Sequence, residues 1–226
     1  MSHEITLVCL ANARREGGRC VAGVDNEGDW VRPVSSKTQG ELSINECRLD
    51  IGRDPRLLDR IVVPVTAPQV RPDQPENWVI SGEPWRYKGH LDSTKAEELL
   101  DEVCYHDPDI FGDTSRYRVL SEMESDPIHH SLLVIEPEQL SWKVERWDNG
   151  AIHHRATFDH AGHTYDLPVT DPIIEALLSG KSEGTYARDV DGQLGARRFF
   201  LTMSLGAVWP TTGRCYKLVA GVLAIS

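Results

Sequence analysis

Apolar residues fall mainly in short runs with period-two alternation, and only two stretches carry the spacing of a helix face. Residues 5–10 open the chain as a strand of β-branched and apolar residues. Gly17-Gly18 permit a turn with positive φ. Residues 20–24 and 30–34 read as a second and third strand around the turn Asn26-Glu27-Gly28-Asp29, with Pro33 marking an edge or an exit. Residues 57–65 (LLDRIVVPV) form the next strand and lead into a proline-punctuated loop over 68–75. The spacing predicts a helix over 94–104, because Ala96, Leu99, Leu100 and Val103 share one face. Thr94 and Glu97 have capping-box spacing at its start.

Residues 106–130 are rich in Asp, Pro and Ser and read as a loop between two halves. A buried strand is expected over 131–135 and a half-exposed one over 142–147. Residues 155–160 and 163–169 flank Ala161-Gly162 as a hairpin. Asp171-Pro172 suit the cap and first position of a short helix over 173–178. Strands over 199–205 and 216–225 flank a turn at Thr211-Thr212-Gly213.

About ten short strands, two short helices and no βα alternation predict a mainly β fold of small barrels or a sandwich. The expected division is a first lobe over 1–105, an acidic connecting loop over 106–130 and a second lobe over 131–226. The non-acidic character of both chain ends leaves open that the last strand returns to the first lobe.

At 226 residues the chain has room for one large domain or two small ones. No apolar run approaches the roughly 20 residues that span a bilayer, and residues 1–10 lack a basic n-region. Cys9, Cys20, Cys47, Cys104 and Cys215 are odd in number and widely spaced. Reduced thiols in a cytoplasmic protein are therefore expected.

The net charge of −11 argues against a protein that coats nucleic acid by charge alone. Residues 61–190 carry 11 Lys/Arg against 24 Asp/Glu, while residues 191–226 carry 4 against 1. If the near-neutral ends meet, they could form a local anion-binding surface on an acidic body. Simple solubility explains the same distribution.

No CxxC is present, and the adjacent pairs His129-His130 and His153-His154 point to opposite strand faces, so no metal site is expected. Cys20 follows a cation that would lower its thiol pKa, but it also alternates with Ala22 as an inward, inert residue. Neither Ser35 nor Ser204 sits in a GxSxG elbow. Arg14, Arg15, Gly17, Gly18 and Arg19 place guanidinium forks and approachable backbone in one turn, a weak phosphate signal beside the plain reading of a basic hairpin. Trp30 and Arg32 share a strand face, as in single-strand binders that stack a base and hold its phosphate. The competing reading packs Trp30 in a core and pairs Arg32 with an acid.

Several segments together are more specific. CLANARREGGRCVAG at 9–23, WVRPVS at 30–35, GEL at 40–42, LLDRIVVPV at 57–65, QPENW at 74–78, SLLVI at 131–135, YDLPVTDP at 165–172 and CYKLVAGV at 215–222 resemble the dual OB-containing domain family. The resemblance implies two OB-like small β-barrels with a few short helices. It carries no catalytic residue set.

The leading expectation is a nucleic-acid or nucleotide-binding module, acting as a sensor or targeting subunit on a single strand, a tRNA end or a nucleotide. Asn12, Arg14, Arg19, Trp30, Arg32, Ser35, Asn77 and Lys217 are its expected ligand contacts, without cofactor or metal. The alternatives are a small hydrolase or transferase with Glu76 or Asp171 as base, and a scaffold whose acidic region docks a protein partner. No membrane association is expected.

Overall fold

The structure, a computed structural model, describes residues 2–15, 17–36 and 40–226. Its first barrel is built from β1 (His3–Arg15), β2 (Gly18–Asp25), β3 (Trp30–Val34), β4 (Asp59–Pro68) and β5 (Asn77–Ile80). The strand order is β1-β2-β3-β5-β4, and β4 pairs back onto β1 to close the barrel. All neighbours are antiparallel except β3 and β5. One long β1 serves two partners, because a register shift between Cys9 and Ala11 bends it from β4 toward β2. β6 (Arg86–His90) pairs outside the ring with β4.

The second barrel repeats this order with different pieces. β8 (Leu132–Ile135) and β9 (Glu138–Arg146) act as one broken strand, interrupted at Glu136-Pro137. β9 pairs with β10 (Ile152–His160), and β10 with β11 (His163–Pro168). A single parallel bridge, Val169–Val219, joins the end of β11 to β14 (Arg214–Ile225). β14 pairs with β13 (Arg198–Leu205), and β13 returns to β8. The result is a curled, partly open barrel, so the fold is mainly β with two OB-like barrels. β12 (Gly184–Ala187) adds an edge to β9, and β7 (Tyr117–Val119) an edge to β14.

Three α-helices are found among the described residues: α1 (Ser93–Val103), α2 (Leu120–Ser125) and α3 (Pro172–Leu178). Asp171 caps α3 by accepting from the amides of Ile173 and Ile174, as its sequence position suggested. The α1 cap differs from expectation. Asp92 accepts from the Lys95 amide, while Glu97 pairs instead with Arg197 and Arg198. Residues 106–130 carry β7 and α2, two short elements whose polar sequences hide them from a periodicity reading.

The apolar residues form three cores. Leu7, Cys9, Val21, Val31, Ile61 and Val63 fill the first barrel, and Trp142, Phe158, Leu167, Leu201 and Cys215 belong to the second. The third core lies between them. Leu10, Ala13, Ala22, Val24 and Trp30 from the outer face of β1–β3 pack on Leu132, Val134, Phe200, Ala220 and Leu223 from β8, β13 and β14, with Ala96 and Leu100 of α1. At Gly221 the backbones approach so closely that a Cβ would sit 2.5 Å from the Leu10 carbonyl oxygen. Thr202 donates to that same carbonyl at 2.5 Å. The two chain ends thus do meet, through apolar packing rather than an anion-binding surface.

Candidate ligand-binding site

Of the polar residues singled out in β1–β5, Arg32 lies buried at the seam between the barrels. Arg32 projects from the outer face of β3 and is buried. Its Nε lies 2.9 Å from Oε1 of Glu76, whose side chain is also buried. Its Nη2 donates to Ser131 Oγ at 2.8 Å and to Ser204 Oγ at 3.2 Å. Glu76 accepts in turn from the Ser131 amide at 3.0 Å and its hydroxyl at 2.5 Å. One ion pair from the first barrel is therefore completed by two serines of the second.

Four of the expected ligand contacts are buried and bonded within the fold. Arg32 is committed to Glu76, Ser131 and Ser204. Asn77 is 1% exposed and donates to the Gln74 side chain. Ser35 is buried, with its hydroxyl donating to Glu46 at 2.8 Å. Lys217 has a fully buried side chain and donates at 2.7 Å to both the carboxylate and the carbonyl of Asp113. Burial pushes its ammonium below the usual lysine range, against the pull of Asp113.

The other four are placed differently. Asn12 is half-buried and donates to the Pro55 carbonyl. Arg14 is exposed and pairs at 2.8 Å with Glu175 of α3. Arg19 stands 3.6 Å from Asp54, both half-exposed. Trp30 packs in the inter-barrel core and also contributes to a cleft wall. Arg14, Arg15, Cys20 and Arg32 do border one cavity with Gln74, but its volume is about 160 Å³. Small-molecule sites usually run from about 300 to 1,000 Å³, so this one is too small for a nucleotide.

The proposed bases fare no better. Glu76 is locked by Arg32 and Ser131. Asp171 is 2% exposed, and burial pushes its carboxyl above the usual range while the amides of Ile174, Val222 and Ile173 oppose the shift. Both carboxylates work for the fold.

A different set of residues does face solvent together. β7 and β14 pair with Tyr117 opposite Tyr216 and Val119 opposite Arg214. Strand alternation sends Arg118, Cys215 and Lys217 inward and leaves Tyr117, Arg214 and Tyr216 on the outer face. Trp209, in the loop between β13 and β14, bridges antiparallel to Arg214 and so shares that face. The Arg214 guanidinium lies 4.1 Å from the Tyr117 ring centroid, and the two tyrosine rings meet edge-on at 5.8 Å. Trp209 is 58% exposed. Arg116, also exposed, precedes Tyr117.

Among the described residues neither Arg116 nor Arg214 is in an ion pair. The acids nearest in sequence, Asp113 and Glu122, face Arg118 behind the sheet, and Asp113 also meets Lys217. What sets Arg116 and Arg214 apart is their place beside the exposed rings of Tyr117, Tyr216 and Trp209. This set is not legible along the chain, because its members lie about a hundred residues apart. The alternation of Arg214 and Tyr216 around Cys215 was the available signal.

The model of the family described as Dual OB-containing domain matches residues 5–222, so the chain belongs to that family. No curated protein matches it.

Proposed function

We propose that this member of the dual OB-containing domain family binds single-stranded nucleic acid on the outer face of its second barrel. OB barrels commonly take oligonucleotides on one sheet face and on the loops after strands one and four. In the second barrel the loop after the fourth strand is the β13–β14 connection, which carries Trp209. The observation that carries the reading is the shared face of Trp209, Arg214, Tyr117 and Tyr216. Bases stack on aromatic rings whatever their sequence, and arginine meets the phosphates. The acidic body disfavours duplex coating, which needs a broad basic surface. A sensing or targeting subunit fits this chemistry better than a catalyst. The five free cysteines suit a reducing compartment such as the cytoplasm.

Fluorescence anisotropy with labelled dT12 and rA12 at low salt tests the proposal. Saturable binding that Trp209→Ala and Arg214→Ala weaken, with unchanged melting temperature, supports it. Absence of binding, or binding indifferent to both variants, overturns it.

A further inference from the structure

A second opening lies elsewhere, at the seam between the barrels, and has a volume of about 620 Å³. Its walls come from the β2–β3 turn, the end of α1, the segment leading into β7 and the approach to β8. Trp30 and Phe111 line it as nearly buried rings, and half-buried Ile128 adds an aliphatic wall. At the rim stand three exposed carboxylates, Glu27, Glu102 and Asp126. None of the three is in an ion pair among the described residues. The one lining arginine, Arg118, is buried and turned to Asp113 and to the Phe111 carbonyl. His129 and His130, also on the lining, are exposed.

The size is that of a small-molecule site. An aromatic wall favours a flat ring that stacks on it or meets it edge-on. The carboxylate rim attracts a cation and repels an anion, and with no free guanidinium in the lining only the exposed imidazoles of His129 and His130 are left to meet a phosphate. We infer that this cleft binds a flat heteroaromatic compound, cationic or neutral and without phosphate, of the nucleobase or nucleoside class. The site is independent of the strand-binding face, since Tyr117 and Arg118 of β7 point to opposite sides of the sheet. It sits where both barrels contribute walls, so an occupant would touch both.

Calorimetry with three probes tests the inference: proflavine as a planar cation, adenosine as a neutral nucleoside and adenosine 5′-monophosphate as its anionic counterpart. The expected order of affinity is proflavine, then adenosine, then the monophosphate. Ile128→Trp should fill the cleft and abolish binding of the first two. The double variant Glu27→Gln with Glu102→Gln leaves the walls intact and should lower proflavine affinity about fivefold, the worth of one kcal/mol of lost attraction. Trp209→Ala should change nothing, which separates this site from the strand-binding face. The inference fails if no probe binds, if the monophosphate binds as tightly as adenosine, or if neither variant alters proflavine affinity.

Discussion

The two barrels share a strand order and differ in what their outer faces meet. In the first barrel the outer face of β1–β3, the side an OB barrel commonly offers to a ligand, is covered by β8, β13 and β14. Arg32, which reads as a ligand contact in an isolated strand, is consumed by that contact, and Trp30 packs into it while still lining the neighbouring cleft. In the second barrel β14 runs from one regime to the other. Its end near Ala220 and Leu223 lies in the seam, while its beginning at Arg214 and Tyr216 stays in water. The contrast teaches that topology marks where a ligand could bind, and the neighbour decides whether it can.

The largest expected effect would break the seam. Arg32→Ala leaves the buried Glu76 carboxylate uncompensated, and urea unfolding should lose about 3–5 kcal/mol of stability. The double replacement Arg32→Met with Glu76→Leu should recover much of the loss, since a packed apolar pair often equals a buried ion pair. A loss below about 1 kcal/mol for the single variant would mean that water reaches Glu76 and that the seam is looser than described.

Close backbone approach gives the next effect. Gly221→Ala inserts a methyl 2.5 Å from the Leu10 carbonyl oxygen, so β14 must move away from β1. The expected destabilisation is about 1–3 kcal/mol, read by thermal unfolding. An unchanged melting temperature would show that the barrels slide apart without cost.

The open face should behave in the opposite way. Trp209→Ala should leave stability within about 0.5 kcal/mol, as for an exposed residue, yet weaken a single-stranded oligonucleotide by about 1–3 kcal/mol if one base stacks there. Binding should also respond to salt only gently. Two phosphates neutralised by Arg116 and Arg214 give a slope of log K against log salt of about −1.4. A steeper slope would require basic residues beyond this face.

The smallest effect concerns pH and the first barrel alone. Asp59 at the start of β4 has a fully buried carboxylate that accepts from Arg53 at 2.5 Å, from the Arg56 amide and from His90. Burial by itself would raise its pKa, but the bonds from Arg53, the Arg56 amide and His90 outweigh it and hold the carboxyl below the usual range. A carboxyl more acidic in the folded state stabilises above its unfolded pKa, about 3.9. That contribution fades as pH falls through the folded value. Asp59→Asn should therefore flatten the stability curve below about pH 4. An equally steep acid limb in the variant would assign acid sensitivity to other carboxylates.

The sequence alone determined that the most regularly alternating segments are extended. Alternation in 5–10, 20–24 and 30–34 is local, and a side-chain period of two follows from backbone geometry alone. Asp171-Pro172 marked a helix start for an equally local reason. The polar residues within and beside the strands, Arg32, Glu76 and Asn77, also signalled that something converges there. Whether they grip a ligand or a second barrel was decided only by tertiary structure, because a buried ion pair and an anion-binding arginine use the same residue types. The Trp209–Tyr216–Tyr117 face was likewise beyond the sequence, since it exists only when β7 pairs with β14. That pairing rests on backbone hydrogen bonds, which carry almost no residue code, and on the burial of Arg118, Cys215 and Lys217 behind it.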